Sequence, residues 1–297
     1  MQRQNLQSAY QYCLAIAKRH YENFPTASIL LNREQRKATA AIYAFARIAD
    51  DIADEGSLDT STRMQQLDEY AEKLTAIYQG QETSDPIFIA LADTVKHFDL
   101  PKKTFVDLLT AFRMDIEKQR YANFAELLNY CRYSANPIGE LVLRLHSCYT
   151  PQNKQHSDRV CTALQLINFV QDIDEDYRQR NRIYLPLDEM HQRAVTEDML
   201  KNRDTSAPLA SLVKYQLDRA QRLLLDGVDL VDNLSGKLRL VIALTISSGL
   251  KMCDKLHSRP NCFIRPTLNK GDWMKIGLNA LYFRPIRSRA KISSSSQ

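Results

Sequence analysis

Apolar residues recur at intervals of three and four through most of this 297-residue chain. That interval matches the 3.6-residue turn of an α-helix, because it brings apolar side chains onto one helix face. Only 8 glycines are present, which argues against a fold rich in tight turns and glycine-rich phosphate loops. We therefore predict an all-α protein. The expected helices lie near residues 4–20, 34–55, 61–79, 86–98, 102–117, 123–147, 155–177, 206–231, 236–257 and 271–282.

The connections between these helices are short, and the composition does not shift at any of them. The sequence therefore predicts a single helical domain over residues 1–283. The helical stretches at 38–49 and 160–170 are apolar on most of their circumference and should be central. Alanines are frequent on the first stretch, which suits either close helix packing or a cavity for a long apolar ligand. The residues alone leave both alternatives open.

The formal charge of +5 is concentrated at the C-terminal end, since residues 284–297 carry four cations and no acid. The rest of the chain is nearly neutral, so a nucleic-acid partner is not expected. A basic end of this kind is typical of a solvated, disordered tail. The alternative is attraction to an anionic membrane surface.

Six cysteines without a CxxC pair indicate reduced thiols, as in a cytoplasmic protein. The N-terminal residues contain no continuous apolar stretch of the kind found in signal peptides. The longest charge-free stretches are shorter than the roughly 20 residues that cross a bilayer. We therefore expect a cytoplasmic protein, with at most peripheral contact with the inner face of the membrane.

Two otherwise apolar helices each carry a pair of aspartates one helical turn apart. The first pair, Asp50 and Asp54, lies in line with Tyr43 and Arg47 on one helix face. Burying unpaired carboxylates on such a face is costly unless cations neutralise them. Two copies therefore favour a metal site over solvated acids that pair with Lys or Arg. The second copy comprises Gln165, Asn168, Asp172 and Asp176.

Carboxylates at this spacing have Cβ atoms about 5 to 6 Å apart. Such a pair suits Mg²⁺, which keeps several waters and takes other ligands from a substrate phosphate. Two pairs facing each other would hold Mg²⁺ ions that stabilise a diphosphate as it leaves. Arg47, one turn before Asp50, suits a bidentate contact with a phosphate.

At these residues the chain resembles the squalene and phytoene synthase family of head-to-head prenyl synthases. The likeness runs from about His20 to about Thr267, in the family's order and spacing. It implies an all-α isoprenoid synthase fold with a central helical cavity and a prenyl diphosphate substrate. Segments 20–32 and 265–273 most resemble the hydroxysqualene synthase branch of the hopanoid pathway. The segments that carry the family likeness are AIYAFARIADDIADE (41–55), RYANFAELLNYCRYSANPIGELVLRLH (120–146) and ALQLINFVQDIDEDYRQRNRIYLP (163–186).

The resemblance also implies roles for individual residues. Two to three Mg²⁺ ions are expected on the four aspartates, with Asn168 beside the second pair. Contacts with the prenyl diphosphate are implied for Tyr43, Arg47 and Gln165.

Three further residues each have one interpretation as a site residue and an alternative structural interpretation. Arg182 either reaches the diphosphate or pairs with a neighbouring acid. Tyr130 either shields a carbocation in the cavity or packs in the core. His20 either orients water or phosphate or is a hydrogen-bonded structural residue.

Two departures from the condensing relatives decide which reaction we expect. Tyr21, Glu22 and Asn23 follow His20 where those relatives carry Ser-Lys-Ser-type residues, and Gln171 stands where many carry arginine. Joining two farnesyl diphosphates requires two diphosphate sites, whereas presqualene diphosphate needs one. The sequence therefore predicts Mg²⁺-dependent ionisation of presqualene diphosphate, capture of the rearranged carbocation by water, and no need for NADPH. The alternatives are condensation of two prenyl diphosphates to presqualene diphosphate, squalene or a phytoene-type product, and a non-catalytic assembly factor.

Overall fold

The computed structural model describes residues 2–19, 31–281 and 283. Across these residues the regular structure is helical, and β-pairing is limited to one isolated bridge between Arg120 and Ile183. The predicted all-α class is confirmed. The helices, in chain order, are α1 Gln2–Arg19, α2 Arg33–Asp54, α3 Thr60–Tyr78, α4 Pro86–Phe98, α5 Lys102–Glu117, α6 Phe124–Ser134, α7 Asn136–Leu145, α8 Pro151–Gln171, α9 Ile173–Arg180, α10 Leu187–Gln192, α11 Glu197–Lys201, α12 Ala207–Asp226, α13 Gly236–Ser258 and α14 Lys270–Leu281.

Side-chain caps and prolines set several helix starts where the sequence predicts a break. The Asn32 side chain accepts a hydrogen bond from the Gln35 backbone N–H, and the Gln35 side chain accepts one from the Asn32 N–H. This reciprocal capping satisfies two donors that the first turn of α2 leaves without partners. Asp85 and Thr150 cap α4 and α8 in the same position, each before a proline that fits the first turn.

Two predicted helices are interrupted in the structure. The predicted 123–147 helix divides into α6 and α7, because Pro137 has no N–H to continue the hydrogen-bond ladder. The predicted 155–177 helix divides at Asp172, which has φ −106° and ψ 17°. The break is slight. The Asp172 N–H still donates to the Asn168 carbonyl at 2.9 Å and the Asp176 N–H to the Asp172 carbonyl at 2.8 Å, so the expected spacing along these three residues persists.

Two short helices, α10 and α11, were not predicted, and the predicted 206–231 helix ends at Asp226 before a 3₁₀ turn, Val228–Leu230. The short helices have 6 and 5 residues, too few for an apolar period to be recognised. Within the described ranges, no helix is both long and apolar enough to cross a membrane.

The chain divides into two compact units that are discontinuous in sequence. The first unit comprises Met1–Glu117 and Glu140–Tyr149, and the second comprises Lys118–Gly139 and Thr150–Gln297. The expected catalytic domain over residues 1–283 stays a prediction. The basic segment 284–297 lies outside the described residues.

Helix α2 is central in the first unit, as the sequence predicts. It packs against α1, α3, α4 and α5. Its Phe45 ring stacks on Tyr70 at 5.1 Å between centroids and meets Phe105 edge-on at 5.4 Å. Six of its alanines are buried, which favours the close-packing alternative for them, whereas Ala46 is half-buried. The core also includes Leu141 and Leu145 from α7.

Helix α8 is central in the second unit, where it packs against α6, α12 and α13. Gly227, which follows α12, makes close approach possible. A Cβ atom there would lie 2.6 Å from Val160 Cγ2 and 3.0 Å from the His156 carbonyl oxygen. The two apolar stretches that the sequence singled out are thus the central helices of the two units.

Candidate functional site

The first carboxylate pair lies on the last two turns of α2, in the first unit. Asp50 and Asp54 are half-buried there, one helical turn apart. Arg47 binds acids on its own helix. Its Nη1 atom lies 3.4 Å from Asp50 Oδ2, and its Nη2 atom lies 2.5 Å from both Asp51 Oδ1 and Glu55 Oε1. The side chain expected to take a phosphate oxygen is therefore held beside the first aspartate pair.

Tyr43 lies one turn before Arg47, and the charges of Arg47, Asp50 and Asp51 act on its hydroxyl. Burial raises the pKa of the Tyr43 hydroxyl, Arg47 opposes that rise, and Asp50 and Asp51 add to it. The sequence-predicted line of Tyr43, Arg47 and Asp50 is thus one connected electrostatic group. Asp51, the residue after Asp50, also belongs to this group through Arg47.

The second carboxylate pair lies at the junction of α8 and α9, in the second unit. The Asp172 carboxylate is bound by Arg265, whose Nε donates to Oδ1 and whose Nη2 lies 3.4 Å from Oδ2. The Asp176 carboxylate is only 15% exposed and lies 3.7 Å from Arg180 Nη1. Burial, followed by the charge of Asp172, raises the pKa of Asp176 to about 7, although Arg180 and Arg182 act in the opposite direction.

Arg265 lies on the segment that follows α13, and this segment places its side chain next to Asp172. Gln171 Nε2 donates to the Pro266 carbonyl at 2.9 Å, and Arg259 Nη2 donates to the Val170 carbonyl at 3.1 Å. Both bonds hold the segment against the end of α8. Arg265 and Asp172 are 93 residues apart, so no spacing in the sequence signals their contact. Sequence reasoning named Arg265 only as part of the family likeness.

Of the other two acids of α9, Asp174 has partners of its own, whereas Glu175 shares Arg265 with Asp172. Asp174 accepts from Arg203 Nε at 2.7 Å and lies 3.2 Å from Arg178 Nε. The hydrogen bond from Arg203 lowers the pKa of Asp174. Glu175 Oε2 lies 3.8 Å from Arg265 Nε. The ion-pair partners of Asp174 are therefore different from those of Asp172 and Asp176.

A left-handed turn after α9 places Arg182 beside Asp176. Asn181 ends α9 with φ 51°, a conformation that asparagine tolerates, and the Arg182 N–H donates to the Asp176 carbonyl at 2.9 Å. Arg182 is buried and lines a small cavity together with Asp176, Phe169 and Tyr184. Arg182 is thus close enough to lower the pKa of Asp176, while its contact with diphosphate stays a prediction.

Four aromatic rings gather next to this cavity. Phe169 and Tyr184 stack with centroids 3.8 Å apart and an interplanar angle of 8°. Tyr130 lies 5.8 Å from Tyr184 and 6.0 Å from Phe169, and Tyr121 lies 5.6 Å from Tyr184. Tyr130 is buried in this cluster. Its packing agrees with the core alternative, and a contact with substrate stays a prediction.

The remaining candidates are Gln165, Asn168 and His20. On α8, Gln165 is half-buried and lies two turns before Asp172, and Asn168 is exposed and lies one turn before it. His20 lies outside the described residues, as do Tyr21, Glu22 and Asn23. Their expected roles stay predictions.

The side chains of both pairs fit Mg²⁺ by their chemistry. Within the described part of the chain, no three His, Cys, Asp or Glu side chains form a ready metal cluster, so each site offers a carboxylate pair. A pair is what Mg²⁺ needs when waters and substrate phosphates complete its shell. The raised pKa of Asp176 reflects burial beside a second carboxylate, and a bound divalent cation would relieve that repulsion.

The chain is similar to known proteins in both sequence and fold. The family described as squalene/phytoene synthase matches residues 17–272 of the chain. A hydroxysqualene synthase of Rhodopseudomonas palustris is 38% identical over 206 residues, which cover 69% of each chain. One of Zymomonas mobilis is 39% identical over 208 residues, covering 68% of this chain and 67% of the relative. The crystal structure of squalene synthase HpnC from Alicyclobacillus acidocaldarius has a TM-score of 0.79 at 34% identity, over 84% of this chain and 94% of that one.

Proposed function

Because the chain belongs to the squalene and phytoene synthase family of prenyl diphosphate-processing enzymes, we propose that it acts as a hydroxysqualene synthase on presqualene diphosphate. Two relatives at 38% and 39% identity carry that name. The observation that carries the choice of substrate is the neutral residue beside Asp172. The Gln171 amide is engaged by the Pro266 carbonyl, so this position supplies no cation for a second diphosphate.

The proposed reaction replaces the C–O bond to the diphosphate with a C–O bond to water, and C–C bonds of the cyclopropane ring are redistributed in between. The C–O bond to the diphosphate breaks, and its electron pair leaves with the diphosphate. The cyclopropylcarbinyl cation rearranges, a water oxygen forms the new C–O bond, and that water loses one proton. No electrons enter or leave, so hydroxysqualene and diphosphate form without a nicotinamide cofactor.

The four aspartates of the two pairs are the proposed Mg²⁺ ligands, with Asn168 beside the second pair. Bound Mg²⁺ would stabilise the negative charge that develops on the departing diphosphate. Arg47 would turn from its acids to a phosphate oxygen, with Tyr43 and Gln165 as further contacts. Arg182 would contribute positive charge from the cavity beside Asp176.

The aromatic cluster suits the cation that remains after diphosphate leaves. Ring faces stabilise positive charge and carry no strong nucleophile that would trap it. Tyr130, Phe169 and Tyr184 therefore favour survival of the cation until water arrives.

The proposed substrate is a thirty-carbon lipid with an anionic head, which partitions into bilayers. We propose peripheral contact with an anionic membrane, to which the four cations of residues 284–297 contribute. A chain ending at Tyr282 is expected to bind anionic vesicles more weakly than the full chain. Equal binding by the two chains would contradict this role for the basic segment.

A second candidate is condensation of two farnesyl diphosphates. It is favoured by the likeness to a structure described as a squalene synthase, at 34% identity. A condensing enzyme would need cationic groups for a second diphosphate in addition to those described here.

Product analysis separates the two candidates. The purified protein is incubated with Mg²⁺ and either presqualene diphosphate or farnesyl diphosphate, each with and without NADPH. Hydroxysqualene formed from presqualene diphosphate alone, at a rate independent of NADPH, is the expected result. Consumption of farnesyl diphosphate would instead establish a condensing enzyme, and no diphosphate release from either substrate would refute both candidates.

A further inference from the structure

The last helix of the described chain, α14, has one buried face and, on its other side, exposed large apolar side chains. Its inner face, formed by Asp272, Ile276 and Ala280 at intervals of four, is buried, and α14 packs against α13. A helix on a protein surface normally presents polar residues on its other side. On α14 that outer face instead carries large apolar side chains. We call this the outer face of α14; it is formed by Met274, Leu278 and Leu281 at steps of four and three, with Trp273 at its edge.

The outer face of α14 is well exposed. Trp273 is 42% exposed, Met274 65%, Leu278 54% and Leu281 64%. Other exposed large apolar residues of the described chain are scattered singly over other elements, as Val106 is on α5. Single exposed apolar residues are normal, whereas a contiguous group on one helix marks an interaction surface.

The charges around this face indicate what covers it. The only acid of α14 is Asp272, which is buried and lies 2.7 Å from Lys255 Nζ and 3.6 Å from Lys251 Nζ. Lys270 and Lys275 are exposed on the same helix. Directly beyond the helix, residues 284–297 add four cations and no acid. An apolar face bordered by cations complements an anionic lipid surface, where lysines and arginines meet headgroups and apolar side chains enter the acyl boundary.

We propose that the outer face of α14 inserts into the headgroup region of an anionic bilayer, with the helix lying along the membrane surface. Tryptophan favours this interfacial zone, and such helices bury their apolar side by about 5 to 10 Å. This contact is separate from the electrostatic attraction of residues 284–297, because it uses side chains of a folded helix. It gives a membrane-partitioning substrate a short route to the protein.

Trp273 is the single tryptophan of the chain, so its fluorescence reports on this face alone. The full chain is titrated with phosphatidylglycerol vesicles, and then with vesicles whose acyl chains are brominated. Emission is expected to shift to shorter wavelength on binding and to be quenched by bromine. Neither Mg²⁺ nor a prenyl diphosphate is present, so failure here is distinguishable from failure of the proposed reaction.

A triple variant that retains Trp273 measures the apolar contribution. Met274→Ser, Leu278→Ser and Leu281→Ser together are expected to lower vesicle affinity by about tenfold or more, since each removes a large apolar side chain from the contact. The matched control carries Leu58→Ser, Val106→Ser and Leu187→Ser, three exposed apolar residues outside α14, and is expected to bind as the unmodified chain does. Circular dichroism verifies that both variants keep their helices.

Three results would overturn the proposal. The first is vesicle binding without a shift in Trp273 emission, and the second is equal affinity of the triple variant and the control. The third is self-association of the unmodified chain that buries Trp273 in the absence of vesicles and is lost in the triple variant. That result would assign the face to a second copy of the chain.

Discussion

The first aspartates of the two carboxylate pairs, Asp50 and Asp172, are neutralised in different ways. On α2, Arg47 lies three residues before Asp50 on the same helix and also binds Asp51 and Glu55. At the α8–α9 junction, Asp172 is bound by Arg265, 93 residues away. The first arrangement is fixed as soon as the helix forms. The second depends on a segment held in place by hydrogen bonds to the end of α8, so two similar motifs differ in how their charge is organised.

The largest effect is expected when either pair loses a charge. Asp50→Asn and Asp172→Asn should each lower kcat by about 10²- to 10³-fold or more, because the leaving diphosphate loses electrostatic stabilisation. Steady-state release of diphosphate measures the change. Asp174→Asn is the matched control, since Asp174 pairs with Arg203 and Arg178 and should affect kcat little. Full activity in either Asp50→Asn or Asp172→Asn would contradict the metal assignment.

Arg47 and Arg265 are expected to contribute unequally to catalysis. Arg47 is 23% exposed and Arg265 is 54% exposed, so solvent screens Arg265 more. Arg47→Gln is expected to lower kcat/KM by about 10- to 100-fold, the effect of losing a hydrogen bond between charged groups. Arg265→Gln should cost about fivefold or less. An equal loss in both variants would mean that Arg265 binds the diphosphate itself, besides holding Asp172.

Asp176 gives a smaller effect on stability that depends on pH. In protein without metal, its pKa is raised from 3.8 to about 7, so the folded state holds this proton more tightly than the unfolded state. Its contribution to the free energy of unfolding is therefore full below about pH 4 and is lost as the pH rises towards about 7. Asp176→Asn should remove a fall on the order of 1 kcal/mol between pH 5 and pH 8.

Urea unfolding in EDTA at the two pH values measures this slope. Asp174→Asn provides a control of opposite sign, since a hydrogen bond from Arg203 lowers the pKa of Asp174. The stability that Asp174 contributes is present at neutral pH and is lost only as the pH falls through its lowered pKa. An unchanged slope in Asp176→Asn would mean that this carboxylate is not the source of the pH dependence.

The contrast also explains what the sequence was able to predict. Periodicity identified α2 and α8 as central helices, and steps of three and four placed Arg47 beside Asp50, because both inferences depend on local geometry. The partners Arg265 of Asp172 and Arg203 of Asp174 come from distant segments and carry no local signal. The break at Asp172 was missed because the hydrogen bonds on either side of it continue the helical pattern.

Glu140–Tyr149 belongs to the first unit although it follows part of the second unit in the chain, and this order affects folding during synthesis. Leu141 and Leu145 complete a core whose other members end at Leu109, and the Leu145 carbonyl accepts a hydrogen bond from Gln35 Nε2 at 3.2 Å. During synthesis the ribosome must therefore release residue 149 before the first unit can close. By then residues 118–139 of the second unit have already emerged. The first unit therefore cannot complete its fold before residues 118–149 have been synthesised. A fragment ending at Glu117 would expose an incomplete core to chaperones.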